Sequence, residues 1–267
     1  MYKLGIKEPI RLIDIIKWIK YKISFKKDHP DFFEPCGTCI FCGSQGTGKT
    51  LSAVNYIYNI MRDFPLCILV TNVKMLDYPF NAHLINNTLI DDLTKSEIDI
   101  DFIRDCENRV VVEYTGLDCL KYINNGEYGV VYFIDELHLE LNSLESKNID
   151  IDVITEISQQ RKQRKHIVGT SQIFMRLAKP VREQIKDIVL CNNYFGFFQF
   201  NKLIDGETVQ EENGRIKADV RGRAIYIHSP KMYNRYDTFA KMNRYNKEWQ
   251  GHKRDNVDFF KRYAENN

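Results

Sequence analysis

Eight consecutive residues, Gly43-Ser44-Gln45-Gly46-Thr47-Gly48-Lys49-Thr50, fit the spacing G-x-x-x-x-G-K-[ST] in full. Each slot has a chemical use. The glycines let the backbone wrap a chain of phosphates with its N–H groups pointing inward, and a helix that follows presents its positive N-terminal end. Lys49 would reach the β- and γ-phosphates, and the Thr50 hydroxyl would be a ligand for Mg²⁺. The expected cradle runs from Gly43 through Ser44, Gln45, Gly46, Thr47, Gly48, Lys49 and Thr50 to Leu51. Its expected occupants are ATP and Mg²⁺.

A second chemical signal stands roughly ninety residues downstream. Val130-Val131-Tyr132-Phe133-Ile134 is an apolar run that ends in Asp135-Glu136. A strand of that composition delivers Asp135 to the C-terminal edge of a sheet, beside the phosphate cradle, where it can help hold Mg²⁺. Glu136 is placed to orient and deprotonate an attacking water. Acids often start loops, so this signal gains its meaning from the glycine-rich turn upstream. His138 follows closely, but a lone histidine near a site is more often structural than catalytic.

The segment Gln159-Gln160-Arg161-Lys162-Gln163-Arg164-Lys165-His166 concentrates cations ahead of another apolar run, Ile167-Val168-Gly169-Thr170-Ser171-Gln172. Cations at a helix end can do no more than offset the dipole. The sharper reading is an arginine finger, a fixed cation that stabilises charge on a transferring phosphoryl group, with Arg161 or Arg164 in that role. Gln172, at the end of the run, is a candidate to sense the γ-phosphate through a hydrogen bond.

These residues need a frame. Short apolar runs at Thr38–Cys42, Cys67–Thr71, Arg109–Tyr114, Gly129–Ile134, His166–Thr170 and Ile188–Cys191 alternate with helical patterns at Thr50–Arg62, Leu117–Ile123 and Val153–Arg164. That alternation predicts an α/β fold with right-handed crossovers and a mainly parallel central sheet. Residues 10–23 read as a helix, with Pro9 suited to its first turn, and a polar loop over Lys26–Pro35 follows. Beyond Asn192 the pattern turns to hairpin pieces, Tyr194–Phe200, Lys202–Glu212 and Ala224–His228, then to a basic C-terminal helix. The expected division is an N-terminal helical arm over 1–35, a core over 36–192, and a β-rich appendage with its helix over 193–267.

The 267 residues carry 43% hydrophobic and 12% aromatic side chains, enough for one substantial core. Net charge is +2, yet the first 27 residues hold eight lysines and arginines against two acids, and residues 231–262 hold nine against four. Basic ends on an acidic body suit a polyanion, a neighbouring subunit, or simply solvated faces. Seven cysteines without an evident secretory signal point to reduced thiols and a cytoplasmic location. Cys36, Cys39 and Cys42 have a metal-like spacing, but a strand would turn Cys39 and Cys42 to opposite sides, so buried thiols are expected.

Taken together, these residues resemble the FtsK–HerA branch of P-loop ATPases, most of all the zonula-occludens-toxin-like and viral DNA-packaging ATPases. The resemblance spans roughly Thr38–Val189. It rests on the P-loop, on Thr71-Asn72-Val73, on Phe133-Ile134-Asp135-Glu136-Leu137-His138, and on Gln160 to Ile167 leading to Thr170-Ser171-Gln172. It implies a RecA-like fold of the additional-strand, catalytic-glutamate type. It implies Arg161 as the first choice of finger, Arg164 as the second, and Gln172 as the polar sensor. It also implies a homo-oligomeric ring, a hexamer or pentamer, that moves DNA and works with viral portal or assembly proteins. Many filamentous-phage relatives carry a membrane span; this chain has no long uncharged apolar run, so packaging is favoured over extrusion, with peripheral membrane contact through the basic arm left open.

Other classes fit less well. A GTPase would read guanine with N-K-x-D, whereas Asn201-Lys202-Leu203-Ile204 places Asp205 one position late. A small-molecule phosphotransferase has no use for a water-activating glutamate at position 136. A scaffold that uses ATP only to set its oligomeric state remains a distinct alternative to a translocase.

Overall fold

The computed structural model describes residues 12–35, 37–98, 109–212 and 215–237. The chain builds one ten-stranded sheet. In chain order its strands are β1 (Gly37–Cys42), β2 (Ile68–Thr71), β3 (Ala82–Ile85), β4 (Thr88–Asp91), β5 (Val111–Glu113), β6 (Val130–Ile134), β7 (Lys165–Ser171), β8 (Ile185–Tyr194), β9 (Phe198–Asp205) and β12 (Val220–Ile227). Strands β10 (Gln210–Glu212) and β11 (Arg215–Lys217) form a separate small hairpin. The order across the large sheet is β12-β9-β8-β1-β7-β6-β2-β5-β3-β4. From β8 to β3 every pair is parallel, while β4, β9 and β12 are antiparallel additions at the two edges. The expected α/β sheet, mainly parallel, is what the chain forms.

One strand, β7, stands between β1, which leads into the glycine-rich turn, and β6, which ends at the acids. This is the additional-strand arrangement. The central strands are buried on both faces, as helix-covered parallel strands must be, and all of Val130–Ile134 is solvent-free. Helix α2 (Lys49–Asp63) covers one face through Leu51, Val54, Ile57 and Met61. Helices α3 (Cys119–Tyr122) and α4 (Ile151–Gln159) cover the other with Cys119, Leu120, Val153 and Ile157.

Helix α1 (Leu12–Asp28) extends beyond the expected stop near residue 23 and buries none of its residues. Its connection to the core is the loop that follows. Phe33 is fully buried, and its ring lies where a Cβ at Gly129 would have to sit, which is why a glycine with φ of 69° occupies that turn. Pro9 and the first two residues of the expected 10–23 helix lie outside the described residues, as does the basic C-terminal helix.

Three further differences from the sequence expectation have local causes. Helix α4 stops at Gln159 instead of running to residue 164. The Gln160 side chain turns inward to exchange hydrogen bonds with Thr38 Oγ1 at 2.9 and 3.1 Å, its backbone carbonyl accepts from Lys165 N–H, and Arg164 takes a left-handed φ of 55°. The β3–β4 hairpin, absent from the reading above, turns on Asn86-Asn87 at φ 49° and 67°, the two positive values a tight hairpin requires. The expected boundary after residue 192 falls inside β8, and β9 and β12 prolong the same sheet instead of standing apart.

Candidate nucleotide site

The C-terminal ends of β1, β6 and β7 meet at one edge of the sheet. Backbone geometry at the glycine-rich turn follows from its residues: Gly43, Gly46 and Gly48 have φ of 157°, 80° and 77°. At Gly48 the conformation is required twice over. Its φ is left-handed, and a Cβ there would stand 2.3 Å from Gln199 Oε1. Helix α2 then begins at Lys49, so its first N–H groups point into the turn. The Lys49 side chain is buried, and its ammonium donates to the Ser44 carbonyl at 3.1 Å, across the mouth of the loop. Thr47 Oγ1 also donates to Ser44 O, at 2.8 Å, closing the turn on itself.

Asp135 arrives at the end of β6, as the sequence predicted. The Thr50 hydroxyl donates to its Oδ1 at 3.0 Å, and the Thr170 hydroxyl donates to the same oxygen at 2.6 Å. Thr170 Oγ1 in turn accepts from the Glu136 N–H at 2.8 Å. Asn72, just beyond β2, grips the acid's backbone from the other side: its Nδ2 donates to Asp135 O at 3.1 Å and its Oδ1 accepts from Asp135 N–H at 2.9 Å. The side chain of Asp135 is thereby aimed at Thr50 by its neighbours on either flank. Glu136 adopts φ 55° and ψ 43°, a left-handed conformation uncommon for a residue with a side chain, and its Oε2 lies 3.3 Å from His138 Nδ1.

A hydroxyl and a carboxylate are the hard oxygen donors that Mg²⁺ prefers, and one carboxylate with substrate phosphates is its usual complement. The pair Thr50 and Asp135 fits that ion. Cys39 and Cys42, by contrast, face opposite sides of the sheet and join opposite cores, and burial pushes both thiols well above their ordinary range.

The remaining expected residues divide by sheet edge. Gln172 follows β7 at the phosphate edge and is exposed. Arg161 and Arg164 precede β7 and so lie at the opposite edge, about 20 Å away over six residues of extended chain. Arg161 is exposed there. Arg164 holds the N-terminal arm: its guanidinium lies 4.0 Å above the Phe32 ring and donates to Phe33 O at 3.5 Å.

Three contributors to the site have no place in the expected set. Asn72 and Thr170 stood in the sequence only within motifs that carry the family resemblance, with no role assigned to either. Gln199 gave no signal at all. It is fully buried on β9, donates from Nε2 to Thr47 O at 3.0 Å and to Asn201 Oδ1 at 2.7 Å, and meets His228 Nε2 through Oε1 at 3.0 Å. The antiparallel strands thus carry part of the phosphate loop's support.

Several solved structures superpose on much of this chain. The N-terminal domain of zonular occludens toxin from Neisseria meningitidis does so with a TM-score of 0.48 at 17% identity, over 76% of this chain and 100% of that one. The genome packaging NTPase B204 from Sulfolobus turreted icosahedral virus 2, in complex with AMPPCP, gives 0.46 at 13% identity over 74% and 99%. B204 from Sulfolobus turreted icosahedral virus, described as a DNA-packaging ATPase, gives 0.40 at 12% identity over 73% and 97%. No curated protein matches the sequence. The sequence profile of the family described as Zonular occludens toxin (Zot) matches residues 37–241, most of the chain. With the P-loop, the additional strand and the terminal acids in place, the chain belongs to the zonular occludens toxin family of P-loop NTPases.

Proposed function

We propose that this protein is an ATP-hydrolysing motor that moves DNA during viral genome packaging or phage assembly. The observation that carries the hydrolytic part is the convergence of Thr50 and Asp135 at 3.0 Å, beside a buried Lys49 and next to Glu136. In this reading Lys49 and the loop N–H groups bind the β- and γ-phosphates, and Thr50 with Asp135 would hold Mg²⁺, which would offset phosphate charge. Glu136 takes a proton from the attacking water, with His138 beside it to hold the carboxylate's orientation. Gln172 contacts the γ-phosphate from the end of β7.

Arg161 cannot serve the nucleotide of its own subunit from the far edge of the sheet. Its proposed place is on the nucleotide of a neighbour in a ring. Helix α1 favours such an assembly, since Leu12, Ile15, Ile16, Ile19 and Ile23 form an apolar stripe that is exposed among the described residues. Movement of DNA is what the motif resemblance to packaging ATPases implies, and membership of the Zot family supports the P-loop NTPase core it requires.

The test is ATP turnover with and without DNA. DNA should bind and raise phosphate release severalfold, and Lys49→Ala should remove both basal and stimulated turnover. Turnover that ignores DNA, from a protein that does not bind it, would leave an ATP-dependent scaffold in place of a motor.

A further inference from the structure

We propose that the tip of the β8–β9 hairpin, residues 194–198, is the platform on which the nucleotide's base stacks, with the Phe197 ring as its principal face. The proposal rests on the reading of the loop at Gly43–Thr50 as a triphosphate cradle and names the part of the site that reading leaves open.

Strand β1 lies between β7 and β6 on one side and β8 and β9 on the other. The metal-holding pair Thr50 and Asp135 marks the β6 side as the γ-phosphate end. A nucleotide whose terminal phosphate lies there must send its ribose and base the opposite way, toward β8 and β9. Two strand spacings put that hairpin about 10 Å across the edge from β1. Strand β8 runs parallel to β1, so the turn after Tyr194 projects from the same edge as the phosphate loop.

The tip is also joined to the loop. Gln199, the second residue of β9, links that strand to the Thr47 carbonyl, and Phe197 is the turn residue immediately before β9. The Phe197 carbonyl accepts from His228 N–H at 2.7 Å, which fixes the turn.

Its residues are unsuited to folding alone. Phe195 is 88% exposed and has a φ of 56°, so a bulky side chain is both left in water and held in a left-handed conformation. Phe197 is 51% exposed, and the two ring centroids are 6.3 Å apart. Two neighbouring exposed aromatics at the sheet edge that carries the phosphate loop offer a π-face. The nearby polar groups of Gln199 are already committed to Thr47, Asn201 and His228, so what the two rings of the tip offer a base is stacking. Such a surface accepts adenine and guanine alike.

The experiment is calorimetric titration of ATP, GTP and inorganic tripolyphosphate into the full chain, for the wild type, Phe197→Ala and Phe197→Trp. Phe197→Ala should weaken ATP and GTP together by about 5- to 150-fold, the range expected for loss of one stacked aromatic. Tripolyphosphate affinity should stay unchanged, and Phe197→Trp should bind ATP as the wild type does. Unchanged ATP affinity in Phe197→Ala overturns the proposal, and more so if the variant loses binding to a single-stranded oligonucleotide, which would assign the tip to nucleic acid. Equal losses for ATP and tripolyphosphate overturn it too, because the tip would then only shape the loop. A wild type that binds neither compound would instead remove the phosphate cradle on which the proposal stands.

Discussion

Thr50 Oγ1 and Asp135 Oδ1 lie 3.0 Å apart although 85 residues separate them in the chain. The contact ties the first turn of a helix to the end of a strand two places across the sheet, and it fixes where a cation can sit. Both oxygens are hard donors, and Asp135 receives a further hydrogen bond from Thr170 at 2.6 Å that holds it in place.

Asn72 is the test of that placement, because it touches only the backbone of Asp135. Asn72→Ala should raise the Mg²⁺ concentration needed for half-maximal turnover severalfold and leave nucleotide affinity without metal unchanged. Two lost hydrogen bonds at a partly buried site should also cost about 1–3 kcal/mol of stability in denaturant unfolding. An unaltered Mg²⁺ dependence would release Asn72 from this role.

Gly48 has no room for a methyl group. In Gly48→Ala the new Cβ would meet Gln199 Oε1 at 2.3 Å while the backbone is held at φ 77°. Nucleotide binding should fall below detection in the variant, with overall fold by circular dichroism retained. Adding Gln199→Ala removes the clash together with the hydrogen bond to Thr47 O, so the double variant should recover part of the affinity, up to that of Gln199→Ala alone. Recovery absent while Gln199→Ala alone still binds would assign the effect to φ.

His166 gives the protein an acid sensitivity. It is buried beside the Gly37 carbonyl at 2.8 Å and the Tyr56 hydroxyl at 3.0 Å, and burial lowers its pKa from 6.5 to about 4. The unfolded chain therefore binds more protons than the folded chain between those values. Stability supplied by the neutral ring is fully present above pH 6.5 and is lost as pH falls toward 4, by at most about 3 kcal/mol. His228, also lowered by desolvation, acts in the same direction. The unfolding temperature should drop from pH 7 to about pH 5 more steeply in the wild type than in His166→Gln; equal slopes would contradict the assignment.

Arg161 stands at the wrong edge of the sheet for its own nucleotide. Mixing Arg161→Ala subunits with Glu136→Gln subunits should restore some of the turnover that each lacks alone, since a mixed interface can combine an intact glutamate with an intact arginine. No restoration at any ratio would remove Arg161 from transition-state stabilisation.

The parts of this site that could be read in the sequence are those whose chemistry dictates local spacing. The run from Gly43 to Thr50 specifies its own backbone, and five apolar residues before Asp135 specify a buried strand that must end there. Residues that act through the fold left no such trace. Gln199 supports the phosphate loop from a strand 152 residues on, and nothing near it in sequence names Thr47 as its partner. Arg161 and Arg164 were expected at the end of a helix as finger candidates, for the same subunit's nucleotide or a neighbour's. The inward turn of Gln160 and the left-handed Arg164 end that helix early, and strand direction carries both arginines to the far edge. The merging of β9 and β12 with the main sheet was hidden for a similar reason: alternation identifies a strand but not its neighbour.

The whole reading stands on the glycine-rich loop and the two acids serving one nucleotide, with Glu136 activating water. Parallel titration of ATP affinity and phosphate release in the wild type and Glu136→Gln decides it. Affinity for ATP should stay within about threefold of the wild type while turnover falls by about 100-fold or more. Turnover near the wild-type rate in Glu136→Gln would refute the role given to the glutamate.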